Sequence, residues 1–231
     1  MNLYAHYEVE NVLTTPSDLR LFRIARQDVT TYKNNVETKL WISVNDKYRQ
    51  YIGGKITIPS VDANGNRIEG IYNFEGANGI LEIYFLDDAQ HSSVGAFAFK
   101  EMKNLQKIYL PSTIITIGNR AFTDCNSLAI SALPPALVNL GDGAFSSCFN
   151  ITLTAIPITV TTIPFQCFAI CGKINISVLG NETNNLLIEK SAFLSCGMDQ
   201  VQHLTIADNV TFVAEGALNE RPFYSAYNAL D

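Results

Sequence analysis

Residues 105–128 read LQKIYLPSTIITIGNRAFTDCNSL, and this stretch decides the fold because its pattern returns along the chain. The recurring part is A-F-x-x-C-x-x-L, preceded by P-x-x-[I/V]-x-x-[I/L]-G. Aligned on the aromatic, the copies fall at Phe74, Phe99, Phe122, Phe145, Phe168 and Phe193, with Leu218 last in line. The intervals are 25, 23, 23, 23, 25 and 25 residues. A fixed period of this length is the signature of a solenoid, whose turns bury their apolar faces against one another.

Each slot of the turn has a physical reading. In Ile108-Tyr109-Leu110 the apolar residues alternate with an outward Tyr109, as in a short strand buried on one face. Pro111 ends that strand because it has no N–H to donate. Ile114 and Ile117 return to the core, and Gly118 is expected to permit a tight bend. Ala121-Phe122 opens the return limb, with Phe122 filling the centre of the coil. Leu81, Ile83 and Phe85 repeat the strand pattern, as do Leu204 and Ile206. The middle turns, Leu128-x-Ile130-x-x-Leu133-Pro134 and Ile151-x-Leu153-x-x-Ile156-Pro157, shift one apolar position by a residue, and Ile174-x-Ile176-x-x-Leu179 follows them. Within a strand such a shift flips a side chain, so the path of these turns is expected to differ.

Four of the five cysteines, Cys125, Cys148, Cys171 and Cys196, stand three residues after the repeat aromatic. Met102 and Ala77 fill the same slot earlier, so the slot is small, apolar and buried. Cys167 takes the slot of Ala98, Ala121, Ala144 and Ala192. Neighbouring turns lie about 4.8 Å apart, within bridging range. The odd count and the single direction of the column favour free thiols as core residues. The Cys167-x₃-Cys171 pair has no second ligand pair at zinc spacing.

The phrase is absent before about residue 50. Thr15-Pro16-Ser17-Asp18 resembles a helix start, with Leu19, Phe22 and Ala25 on one face; the alternation at Leu19, Leu21 and Arg23 equally permits a strand. Leu40-Trp41-Ile42-Ser43-Val44 reads as a strand, and Gly53–Pro59 as the start of the first solenoid turn. Phe223, Tyr224 and Tyr227 follow the last turn and are candidates for capping or docking, because the open end of a solenoid must be covered. The expected division is residues 1–52 as an N-terminal cap or docking segment, 53–218 as the solenoid, and 219–231 as a C-terminal cap. Insertions at residues 86–93 and 180–185 lengthen two loops; such loops are sometimes the binding part.

The phrase I-P-x-x-[I/V]-x-x-I-G-x-x-A-F-x-x-C-x-x-L resembles the BspA-like (Treponema pallidum type) leucine-rich repeat, over roughly residues 53–218. The resemblance implies a right-handed leucine-rich repeat solenoid of the α/β superfold, here mostly β and turns. About seven turns of 23–25 residues would lie between terminal caps. It implies a parallel sheet on the concave face. Members are mostly bacterial and protist surface proteins that bind host proteins or cells, and similar repeats occur in bacteriophage structural proteins. The family has no catalytic residue to carry over.

The net charge of −6 gives no basic face for nucleic acid and no polybasic attraction to anionic lipid. No apolar run approaches the roughly 18 residues that span a bilayer. The start, MNLYAHYEVENVL, has no cationic region followed by an apolar stretch, so no signal peptide is expected. This favours a cytoplasmic or virion-borne chain.

His6, His91 and His203 are the only histidines, and none sits in a nucleophile or metal motif. Asp87, Asp88 and His91 share one insertion and are expected to be solvated. Asp62-x-Asn64-x-Asn66 opens like a calcium loop, but Arg67 holds the glycine slot and no Glu closes it, so a turn is expected. No metal, cofactor or catalytic residue is expected, and the chain reads as a non-enzyme.

Any ligand face should be the outward side of the sheet: Glu82, Tyr84, Lys107, Tyr109, then Ala129 and Ser131, Thr152 and Thr154, Asn175 and Ser177, and His203 and Thr205. Neighbouring tyrosines offer contact area with a polar tip. Small hydroxyls favour a flat surface, suited to a protein or glycan. The expected function is therefore a binding module for adhesion or recognition. The alternative is a subunit of a larger particle, such as a bacteriophage tail or capsid component, that docks to other subunits through its ends.

Overall fold

A computed structural model describes residues 18–50, 52–86, 89–172, 174–180, 183–196 and 205–212. In chain order its strands are β1 (Phe22–Thr30), β2 (Val36–Val44), β3 (Gly54–Ile58), β4 (Gly70–Ile71), β5 (Ile80–Phe85), β6 (Ser93–Val94) and β7 (Lys107–Ile108). There follow β8 (Thr116–Ile117), β9 (Asn139–Leu140), β10 (Thr162–Ile163), β11 (Val178–Leu179), β12 (Leu186–Ile188), β13 (Thr205–Ile206) and β14 (Val210–Phe212). The fold is a β-solenoid of about six turns, with one ring of the phenylalanine column in each. Leu204, Leu218 and residues 219–231 lie outside the described residues.

Two parallel ladders run along the coil. The first carries the Ile108 line: β3–β5–β7, then β11–β13. The second carries the Ile117 line: β2–β4–β6–β8–β9, then β10–β12–β14. The sequence placed the main sheet on the Ile108 line, whereas the second ladder has a strand in every described turn. In the first ladder, residues 129–131 and 152–154 form no strand. Their turns are joined by single bonds, Ala129 N–H to Gln106 O at 2.9 Å and Thr152 N–H to Ile130 O at 2.8 Å. In these turns the buried Ile130 and Leu153 stand four residues before Pro134 and Pro157, against three from Ile108 to Pro111, and the chain leaves the pairing. Leu133 stays buried, so the shift produces no inverted side chain.

The third limb is the A-F segment. Alternate N–H groups of one turn donate to carbonyls of the next: Phe99 to Ala121 O, Phe122 to Ala144 O, Phe145 to Cys167 O and Phe168 to Ala192 O, each at 2.8 Å. The intervening N–H groups close local turns, such as Ala121 to Gly118 O and Cys125 to Phe122 O. Their third residues, Arg120 and Asp124, have φ of 52° and 62°, as in type II turns. The same two positions are left-handed in the turns of Phe99, Phe145, Phe168 and Phe193. This compact path holds the six rings in one stack: Phe122 and Phe145 lie 5.1 Å apart at 2°, and Phe145 and Phe168 5.6 Å apart at 6°.

The glycines that follow β6, β8 and β9 answer to close packing between turns, not to the bend expected at Gly118. A Cβ at Gly118 would stand 2.6 Å from Ala96 N, and one at Gly141 2.3 Å from Asn119 N. The thiols also bridge turns. Cys125, Cys148, Cys171 and Cys196 donate to the carbonyls of Phe99, Phe122, Phe145 and Phe168 at 3.0–3.3 Å. All five cysteines are buried and free.

Of the two readings open for the N-terminal segment, the strand prevails. A 3₁₀ turn at Asp18–Leu21 leads into β1, which pairs antiparallel with β2 from Phe22↔Val44 to Thr30↔Val36. Phe22 then meets Phe74 at 6.2 Å and continues the ring stack. The hairpin reaches across the coil. Ala96 N–H donates to Thr30 O, Asn119 Nδ2 to Asn34 Oδ1, and Lys33 Nζ lies 3.4 Å from Glu189 Oε1. It lies along the second ladder, where its own Trp41 is buried, as are Ser93 and Thr116; a Cβ at Gly70 would collide with the Trp41 ring.

Candidate functional site

The outward row of the first ladder begins with two columns set by strand register. Lys55, Glu82 and Lys107 stand side by side on β3, β5 and β7, while Thr57 and Tyr84 pair in the next outward column. Alternation places Ile56, Ile83 and Ile108 in the core, so these polar neighbours must face out. Lys55 Nζ lies 3.6 Å from Glu82 Oε2. Lys55 was absent from the sequence candidates, although it occupies the same slot in the first turn.

Tyr84 and Tyr109 stack with ring centroids 4.7 Å apart at 20°. Tyr84 Oη donates to Glu82 Oε2 at 2.5 Å. That bond, with Lys55 and Lys107 nearby, holds the Glu82 carboxyl below its usual range. The same bond raises the Tyr84 phenol. Tyr84 is therefore held by its hydroxyl and by ring stacking, while Tyr109 is half exposed on its outer side. The result is a fixed aromatic platform bordered by alternating charge.

Further along, Ala129, Ser131, Thr152, Thr154, Asn175, Ser177 and Thr205 are exposed, with Ile130, Leu153 and Ile176 buried between them. The structure thus brings the described candidates into one row, though not onto one continuous sheet. His203, Phe223, Tyr224 and Tyr227 lie outside the described residues.

The chemistry-bearing groups elsewhere are tied into structure. Asp62 Oδ1 accepts from Asn64 N and Asn66 N, and Oδ2 from Asn66 Nδ2, which closes a turn. His91 was expected in solvent; it is buried, with its ring 5.3 Å from that of Phe85. Asp87 and Asp88 lie outside the described residues. Burial pushes the Cys125 thiol up to about 12 and holds Cys148, Cys167 and Cys171 well above the usual thiol range. Such thiols carry almost no thiolate at neutral pH and are poor nucleophiles. Among the described residues no three His, Cys, Asp or Glu side chains gather as for a metal, and no helix is long and apolar enough to cross a membrane.

Six copies of the BspA type leucine rich repeat region match residues 92–223, more than half of the chain. A leucine-rich repeat protein of T. pallidum, known from a crystal structure, is 18% identical. The match covers 79% of this chain and 91% of that one, with a TM-score of 0.52. A leucine-rich repeat protein from Bacteroides ovatus ATCC 8483 is 20% identical over 83% of this chain and 53% of its own, with a TM-score of 0.47. No curated protein matches by sequence.

Proposed function

Since the chain belongs to the BspA-type leucine-rich repeat family, we propose that it is a non-enzymatic recognition module that binds a protein through the outward row of its first ladder. Leucine-rich repeats generally mediate protein interactions, and stacked turns create extended binding surfaces. The observation that carries the reading is the Tyr84–Tyr109 stack. Rigid, partly exposed aromatics beside satisfied charges are the composition of binding hot spots. The exposed hydroxyls of Ser131, Thr154, Ser177 and Thr205 extend the row as a flat, uncharged surface. In this reading residues 53–218 form the recognition body, and residues 1–52 and 219–231 close its ends.

The test is parallel affinity capture with the wild-type chain and the Tyr84→Ala/Tyr109→Ala variant. Loss of a bound protein by roughly tenfold or more, with an unchanged melting curve, supports the face. Equal capture by both chains refutes it. Sedimentation at micromolar concentration checks the other role: ordered self-association through the chain ends would favour a particle subunit.

A further inference from the structure

The outward row of the second ladder is covered in its early turns and open in its late ones. Trp41 of the hairpin's own second strand is buried, as are Ser93 and Thr116 beyond it, near where Val29 and Thr30 reach Gly95 and Ala96. Past the hairpin tip, the late turns leave an open cavity of about 550 Å³, with Thr161 and Thr211 exposed in it. Its floor is Thr161, Leu187 and Thr211, from successive turns, with Leu186 at the edge. Its wall is Thr183, Asn184 and Asn185, from the insertion that lengthens this turn.

That wall is held in place. Asn184 Nδ2 donates to Ile158 O at 3.0 Å, Asn209 Nδ2 to Asn184 O at 2.7 Å, and Leu186 N–H to Asn209 O at 3.1 Å. The insertion therefore docks on both neighbouring turns instead of projecting as a loose loop.

The lining is uncharged. An ion entering it would lose hydration with no opposite charge to replace it. A wholly apolar ligand would take water from the exposed Thr161 and Thr211 hydroxyls without replacing it. Threonine hydroxyls and asparagine amides each donate and accept, while the threonine methyls and leucine side chains supply apolar contact. A ligand with a rim of hydroxyls and faces of C–H groups matches both. The volume lies within the roughly 300–1,000 Å³ of small-ligand sites.

We propose that this cavity is a binding site for an uncharged oligosaccharide segment, separate from the tyrosine platform. The test is amide NMR of the full chain titrated to millimolar concentration with maltotetraose, cellotetraose and chitotetraose in turn. At least one sugar should move the Thr161, Leu187 and Thr211 amides saturably. Thr161→Val with Thr211→Val should weaken that binding about fivefold or more. Thr211→Arg, at an exposed position, should fill the cavity and abolish it. Tyr84→Ala/Tyr109→Ala should leave it unchanged, which separates this site from the protein-binding face. No movement of these amides with any of the three sugars overturns the proposal. So do shifts that persist undiminished in both the valine and the arginine variants.

Discussion

Arg49 Nη1 donates to the carbonyl of Glu75 at 2.7 Å, and its Nη2 to that of Asn73 at 3.1 Å. These carbonyls flank Phe74, where later turns accept N–H groups from the turn before, as Ala98 and Lys100 do from Phe74 and Gly76. Among the described residues no earlier aromatic turn precedes Phe74, and the guanidinium stands where its backbone donors would be. Asp46 orients it through Nε and Nη2 at 3.1 and 2.6 Å. Arg49→Met should lower stability by about 2 kcal/mol, because two acceptors lose charged donors. Arg49→Lys should rescue little, since a single ammonium cannot span both carbonyls. Urea unfolding of the three chains checks this, and equal stabilities would remove the capping role.

Phe145 sits mid-stack, buried between Phe122 and Phe168. Phe145→Ala leaves a cavity that neighbouring turns, bonded through Phe145 N–H and O, cannot close. The expected cost is about 3–5 kcal/mol in denaturant unfolding. A loss below about 1 kcal/mol would contradict the packing of the column.

The buried thiols predict alkaline instability. Their folded pKa values are raised by burial, for Cys125 up to about 12. Unfolded thiols ionise near 8.5. A raised folded pKa contributes stability that is full below the unfolded value and is lost as pH rises toward the folded one. Each such thiol should therefore remove about 1.4 kcal/mol per pH unit above roughly pH 8.5. Melting curves from pH 8 upward should fall steeply, and Cys148→Ala should flatten the slope by one proton's share. An unchanged slope would show that this thiol ionises equally in both states.

Two backbone positions should respond in opposite directions. Gly141→Ala places a Cβ against the Asn119 and Gly118 backbone, at 2.3 and 2.4 Å. The expected loss is about 3 kcal/mol, since no side chain can move aside. Ile170 holds φ at 57° with its side chain partly exposed. A β-branched residue is strained there, and Ile170→Asn should gain about 0.5–1 kcal/mol. Thermal denaturation of both variants distinguishes relief of strain from loss of packing.

By itself the sequence determined the repeat, its register and its core. A solenoid slot is defined by what the next turn presents to it, so Phe145 or Cys148 can be read from spacing alone. Alternation likewise located the outward row from Glu82 to Thr205. Only the tertiary structure decided which line carries the continuous ladder. Pairing depends on the exact path between turns, and where Ile130 and Leu153 stand one residue farther from their prolines than Ile108 does, it ends locally. Only the tertiary structure, too, brought together groups with no fixed period between them. Arg49 reaches Glu75, Lys33 reaches Glu189 across most of the coil, and residues 183–185 line one site with Thr161 and Thr211. Contacts inside the repeat are local relations copied from turn to turn. Contacts made by the hairpin, by Arg49 and by the insertion depend on where a unique segment folds back, and periodicity carries no information about that.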